Sequence, residues 1–435
     1  MMKVLILAYD FPPYVSVGGL RPYSWYKHLL EYGIEPVVIT RQWDNKYGNH
    51  LDYISPGDSQ KTIVEKTDFG TIVKTPFKPS VSNRLLLKYG EKKFRLLRKF
   101  LTAFDEFRQF LWISGPKRNI YKEADKVLEN NKFDFVIATG EPFVLFYFAK
   151  KLSQKHSIPW IADYRDPWSQ SKSRQVNALY HFWIKKIERK IVSKSIAIIT
   201  VSDIIKAKLE ELIDDKKIIV LPNGYNSEFI TSSNESIHSN KQLVMTFVGT
   251  IYEWHPWKSV LGILDGFHDQ ILFQFIGTNI EPEINQFLND KPNLTKIVKI
   301  IPKVKNEDAI KIMTQSDCLL LFNDYSILGT KIFDYLIANR KMILCYKNDE
   351  KSLLLKEKYY TLSEMNGVSN QLQEDLIMET NSGLVVDNEL HFKQVINELI
   401  AEFKENGKIA CSAIGVEKYS RRTQVEKLVE VLKSL

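Results

Sequence analysis

Short runs of β-branched and other apolar residues alternate with helix-length amphipathic stretches along almost the whole chain, and few folds accept that rhythm. In the first half the strand candidates are residues 4–8, 36–40, 135–138, 160–162, 197–201 and 218–221. In the second half they are 244–248, 271–276, 298–301, 318–322, 342–345 and 383–386. Each run is nearly continuous in apolar residues, as a strand must be when helices cover both faces of a parallel sheet. Two such series, in a chain of 435 residues that is too long for one ordinary core, predict two doubly wound α/β domains. The polar segment 231–242 (TSSNESIHSNKQ) has no apolar periodicity and marks the joint. The expected domains are therefore 1–230 and 243–416. Residues 417–435 carry Val425, Leu428, Val429, Val431 and Leu432 at helical spacing and read as one amphipathic helix.

Charge narrows the function classes. Of the formal net charge of +8, the stretch 83–119 supplies seven: ten cations, among them Arg84, Lys88, Lys92, Lys93, Arg95, Arg98 and Lys99, stand against Glu91, Asp105 and Glu106. The rest is nearly neutral, so a nucleic-acid binder is not expected. From Arg84 to Phe104 cations and large apolar residues alternate at helical spacing. Two readings stand: an amphipathic helix resting on an anionic membrane, or a helix packed on its own domain with a solvated basic face. No apolar run approaches the roughly 20 residues that span a bilayer. The opening MMKVLILAYDFPP reads as a buried strand rather than a leader, which predicts a cytoplasmic protein, with peripheral contact at the inner membrane face on the first of those readings. Three scattered cysteines, and no DxD motif placed after a strand, predict no metal site.

In doubly wound sheets ligands sit outside the carboxyl ends of the strands, so residues just after each strand candidate matter most. Gly18 and Gly19, followed by Arg21, lie where the first strand passes into a helix; they suit either an anion-contacting loop or a plain turn. The string Ala162-Asp163-Tyr164-Arg165-Asp166-Pro167-Trp168 crowds charge and aromatic rings into one loop. Gly249, Thr250, His255 and Lys258 open the second half, His255 reading as a solvent-facing loop residue. Gly329-Thr330-Lys331 stands at a helix start, with Thr330 as N-cap and unpaired amides for phosphate. Lys331 and Asp334, three residues apart, share a helical face.

With these strings the whole chain resembles GT-B glycosyltransferases of the family 4 kind, a bacterial subgroup of which carries an ADFRDPW-type motif. The likeness runs from VLILAYDFPP…GG through ADYRDPW, TVS and PNGYN to the last helix. It implies two Rossmann-like domains facing across a cleft, with the last helix packing back on the N-terminal domain. It also implies metal-independent transfer of a sugar from a nucleoside diphosphate, UDP or GDP, to a hydroxyl of a glycan or lipid-linked acceptor, with retained configuration. No cofactor beyond that co-substrate is implied. Lys258, Gly249, Thr250, Gly329, Thr330 and Lys331 would face the diphosphate, and Asp334 the ribose. Arg165 stands where the family often has a histidine, so Asp166 is left to position the acceptor or act as base, Arg165 to bind phosphate, and Asp163 to compete as the carboxylate. The first acid of the family's E-x7-E pair falls at Ser326. A nucleotide-sugar 2-epimerase of the same fold, or a non-catalytic sugar-nucleotide-binding protein, remain the alternatives.

Overall fold

The computed structural model describes residues 1–14, 16–43, 51–170, 178–229, 242–359 and 367–435. Nearly all of the expected joint falls outside them. The chain forms two compact units: one runs Met1–Gln170, resumes to Pro222 and takes back Gln424–Leu435, and the other runs Asn223–Thr423.

The first unit holds β1 (Met2–Leu7), β2 (Ile34–Arg41), β3 (Ile63–Thr67), β4 (Gly70–Thr75), β5 (Phe135–Gly140), β6 (Trp160–Tyr164), β7 (Ala197–Thr200) and β8 (Lys217–Val220). They lie in the order β3-β4-β2-β1-β5-β6-β7-β8, with every pair parallel except β3 with β4. That edge hairpin has no counterpart among the sequence candidates. Its outer strand is solvated and only Ile72 and Val73 of β4 bury apolar side chains, so no continuous apolar run announces it. Val4 and Ile6 of β1, Ile137, Ile161 and Ile199 form one core cluster with Val425, Leu428, Val429 and Leu432 of the last helix. That helix runs Arg421–Ser434 rather than from 417. Ser420 is extended (φ −68°, ψ 144°) and its Oγ accepts the Thr423 amide at 3.0 Å, which separates the helix from a 3₁₀ turn at Val416–Tyr419.

The second unit holds β9 (Leu243–Val248), β10 (Ile271–Ile276), β11 (Val298–Ile301), β12 (Cys318–Phe322), β13 (Lys341–Cys345) and β14 (Gly383–Val386), in the order β11-β10-β9-β12-β13-β14 and parallel throughout. Along β12, Cys318, Leu320 and Phe322 join one core cluster while Leu319 and Leu321 join another, so both faces are covered. These are two Rossmann-like sheets.

In each sheet the strand order reverses at one place, between β1 and β5 and between β9 and β12. Loops leaving the carboxyl ends there flank a crevice that suits a ligand. The pairing of β9 with β12 is confined to Met245 with Cys318 and Thr246 with Leu319. The basic stretch forms two helices, Val81–Tyr89 and Arg95–Arg108, rather than one. Gly90 (φ 76°) and Phe94 (φ 56°) break it, and the Ser82 hydroxyl, bonded to the Arg98 carbonyl at 3.0 Å and to Thr102 Oγ1 at 2.8 Å, folds the pair together.

Candidate active site

In the first unit the loop after β1 leads into the helix Val17–His28, capped by Ser16. The Ser16 hydroxyl accepts the Gly19 amide at 3.2 Å and donates to Asp10 Oδ2 at 2.8 Å. Asp10 Oδ1 is buried without a partner among the described residues. Burial raises the Asp10 pKa, with Arg165 and the Ser16 hydroxyl opposing. Gly18 lies between Arg165 and Asp10 so tightly that a Cβ there would displace the guanidinium and the carboxylate from these positions. The Arg165 guanidinium is fixed by the carbonyls of Gly140 (2.7 Å) and Glu141 (2.6 Å), which leave the end of β5. Asp166 stays exposed, yet the protein packed around its carboxyl raises its pKa; Arg165 opposes this, and Glu141, Asp163 and Asp10 add to it. One guanidinium thus serves several carboxylates, and a carboxylate of raised proton affinity is suited to take a proton from a hydroxyl. Beside them Tyr14 stacks on buried Trp43 with ring centroids 4.0 Å apart, and the Arg41 guanidinium lies 4.0 Å from the same indole.

Two expected site residues lie elsewhere. Asp163 is fully buried and Arg21 is 4% exposed; Arg21 Nε meets Asp163 Oδ1 at 2.9 Å, and Nη1 donates to the Leu221 carbonyl at 2.8 Å. They tie β6 to the first helix from inside the unit. This corrects their assignment to the reaction centre and to an anion loop. Removing one partner of such a pair costs about 3–5 kcal/mol. Glu188, absent from the sequence candidates, holds the Asp163–Trp168 loop from below. It accepts from Tyr164 (2.8 Å), Gln170 (2.7 Å) and the Ser169 amide (3.0 Å), while Phe143 stacks on Trp168 at 4.9 Å.

In the second unit Lys331 begins the helix Lys331–Ala338. Its Nζ donates to the Thr250 carbonyl at 3.4 Å and lies 4.2 Å from the Phe247 ring centroid. Gly249, at φ 98°, gives it room: a Cβ there would come within 3.2 Å of the lysine Cε. Burial lowers the Lys331 pKa to about 8, with the charge of Asp324 opposing. Asp324 is itself engaged. Burial pushes its pKa up, but hydrogen bonds from His255 Nε2 (2.9 Å) and Trp254 Nε1 (3.1 Å), with the Lys331 charge, bring it below the ordinary value.

His255 is therefore buried rather than solvent-facing. Its Nδ1 accepts the Tyr252 amide at 3.2 Å, which leaves the proton on Nε2 for Asp324; burial lowers its pKa and favours this neutral form. At Ser326 the hydroxyl accepts from buried Lys356 at 2.9 Å, whose pKa burial also lowers to about 8. No sequence signal marked Lys356.

The other expected donor residues are less gathered. Thr330 occupies the N-cap but its hydroxyl makes no cap bond, contrary to expectation, because its backbone is already helical (φ −77°, ψ −20°). Gly329 precedes it with open space around its Cα. Lys258 is exposed in the first turn of the helix Trp257–Leu264, with Nζ 5.4 Å from its own neighbour's Trp257 ring. Asp334 does not share the surroundings of Lys331. Burial raises its pKa to about 6, and Arg421 and an Asn306 hydrogen bond oppose that rise. Among the described residues no three His, Cys, Asp or Glu side chains converge as a metal would require. Nor is any helix there long and apolar enough to cross a membrane.

Residues 23–229 match the model of Glycosyltransferase Family 4. Among solved structures the chain is similar to sucrose-phosphate synthase from Thermosynechococcus elongatus (13% identity, 99% of this chain and 96% of that one, TM-score 0.59). It is similar over its whole length to Anabaena HepE in complex with UDP (12% identity, all of both chains, TM-score 0.59). A glycosyltransferase from Rickettsia africae aligns likewise (12% identity, all of this chain and 98% of that one, TM-score 0.58). No curated protein matches by sequence. Over residues 23–229 the chain is thus similar to Glycosyltransferase Family 4, and its two Rossmann-like sheets are the fold it shares with these solved structures.

Proposed function

We propose that the protein transfers a sugar from a nucleoside-diphosphate sugar to an acceptor hydroxyl, with retained configuration, in the assembly of a polysaccharide or glycolipid. One observation carries the donor assignment. Lys331 stands at the crevice where β9 and β12 part, and its nearest acid, Asp324, is already held by His255 and Trp254. A cation whose protonation burial opposes gains most from an incoming anion. A diphosphate supplies that anion, and the amides of Gly329, Thr330 and Lys331 at the helix start add to its binding. Thr250, Gly249 and exposed Lys258 complete this group, and Asp334 accepts from the ribose hydroxyls. Lysine and helix amides then offset the leaving diphosphate's charge without a metal. That HepE was solved with UDP supports the reading.

On the acceptor side, Asp166 or Asp10 takes the hydroxyl proton, and the charge of Arg165 acts on both carboxylates. The helices spanning Arg84 to Phe104 rest on an anionic membrane surface, which brings a lipid-linked acceptor within reach.

Thermal unfolding with UDP, GDP, ADP, dTDP and CMP in turn tests the donor site. A nucleotide at about 100 times its dissociation constant stabilises the native state by roughly 2.7 kcal/mol. At about 2–4 °C per kcal/mol for units of this size, that is a shift of several degrees. The expected result is a shift with one nucleotide diphosphate that shrinks in Asp334→Ala. A full shift in that variant would return Asp334 to a purely internal contact with Arg421. No shift with any nucleotide would defeat the donor assignment.

A further inference from the structure

Beside the helix Arg95–Arg108 lies a cavity of about 270 Å³ whose lining includes Lys78, Arg84, Arg108 and Arg118. Its one acid among the described residues, Asp105, pairs with Arg108 at 2.9 Å, and Arg108 Nε is buried without a partner among them. The side chains of Lys78, Arg84 and Arg118 have no counter-ion among the described residues. Lys78, Arg84 and Arg118 are exposed, so water screens their mutual repulsion, but together they give the concavity a positive potential that favours an anion. The volume is below the roughly 300–1,000 Å³ of pockets that enclose whole drug-sized ligands. The concavity is open to solvent, and a phosphate or diphosphate group fits within it.

The surface next to the cavity narrows the source of that phosphate. The Arg108 guanidinium lies 5.5 Å from the ring centroid of Phe104. Phe104 is 52% exposed, Phe100 68% and Leu96 82%, and their spacing of four places them along one helical face. An inorganic anion has no use for such a stripe. A lipid has: its chains cover the stripe while its head enters the cavity, and Lys92, Lys93 and Lys99 attend the surrounding anionic surface.

We propose that this cavity is a head-group site for a phosphate-bearing lipid, a phospholipid or a phosphorylated isoprenoid, whose chains lie along Leu96, Phe100 and Phe104. This rests on the membrane-contact part of the function proposed above, and the experiment separates the two. Full-length protein is titrated calorimetrically with geranyl phosphate below its micellar concentration and with inorganic phosphate. It is also sedimented with phosphatidylcholine vesicles that contain either phosphatidic acid or phosphatidylglycerol, matched for surface charge.

The expected results are saturable binding of geranyl phosphate, at least tenfold tighter than inorganic phosphate. The variant Arg84→Gln with Arg118→Gln should lose at least tenfold, with an unchanged unfolding temperature. Lys331→Ala should change nothing, which separates this cavity from the donor site. Binding of both phosphates alike, or an equal loss from Lys92→Gln with Lys93→Gln, would overturn the site in favour of diffuse charge. A loss in the cavity variant that is larger on phosphatidic acid vesicles than on phosphatidylglycerol vesicles supports the site and marks a phospholipid as the source. A loss confined to geranyl phosphate supports it and marks an isoprenoid. Wild-type protein that stays in the supernatant with every vesicle would defeat membrane contact, whereas the titration still decides the cavity.

Discussion

Lys331 shows how a residue suited to binding weakens the protein that carries it. Its pKa is about 8 in the folded protein and 10.5 in the unfolded chain. Between those values the unfolded chain holds a proton that the native state does not, so this group's contribution to stability rises with pH from about 8 to 10.5. At pH 7 both states are charged and the penalty of holding a crowded ammonium is fully present. Lys331→Met keeps the stem against Phe247 and removes the charge. We expect it to raise the unfolding temperature of the free protein at pH 7 while abolishing the shift produced by the nucleotide. A lowered temperature together with an intact nucleotide shift would show that Lys331 is a structural contact. In the wild type, nucleotide affinity should fall above pH 8, approaching tenfold per pH unit as the ammonium is lost, and calorimetry across pH 7–9.5 would show it. The residues surrounding this lysine were only partly legible beforehand. Gly249, Thr250 and Lys331 follow strands and announce themselves by position, but burial decides that His255 pairs with Asp324, and no spacing rule predicts which loop histidine is buried.

At the scale of elements, the pair Val81–Tyr89 and Arg95–Arg108 separates stability from surface function. Leu96 and Phe100 contribute little to the fold because they are mostly exposed. Leu96→Ser with Phe100→Ser should therefore shift stability by no more than about 0.5 kcal/mol each. The same change should cut sedimentation with anionic vesicles several-fold, since the apolar insertion is lost while the cations remain. Unchanged sedimentation would assign membrane contact to charge alone. The amphipathic character was readable from residue spacing, whereas the break at Gly90–Phe94 was not. A single glycine inside a periodic stretch is tolerated by many helices, and here the Ser82 bonds to Arg98 and Thr102 reward the turn. The hairpin of β3 and β4 escaped for a related reason. An edge strand solvated on one side carries its pattern in alternation, and IVEKT has too few apolar positions to stand out from a loop.

For the whole molecule, the consequential feature is that the chain ends in the unit in which it began. The two parallel sheets follow from apolar runs, because a strand covered on both faces has almost no freedom in composition. Which strands neighbour one another depends on crossovers, and no local pattern records them. The order reversals between β1 and β5 and between β9 and β12, where the proposed sites lie, therefore emerge only in the folded chain. The last helix illustrates the energetic side. Val425, Leu428, Val429 and Leu432 are at most 4% exposed within the core of the first unit. Burial of such side chains contributes about 1.5–3 kcal/mol each, roughly 6–12 kcal/mol for four. That is comparable to the entire 5–15 kcal/mol that holds a typical domain together. A chain ending at Thr423 should therefore leave the first unit unable to complete its core, while the second unit retains every residue assigned to the donor. We expect the truncated protein to lose the cooperative unfolding transition of the first unit and yet keep nucleotide affinity within a few-fold of the full chain. Two intact transitions by calorimetry would show that the first unit's core stands without its returning helix.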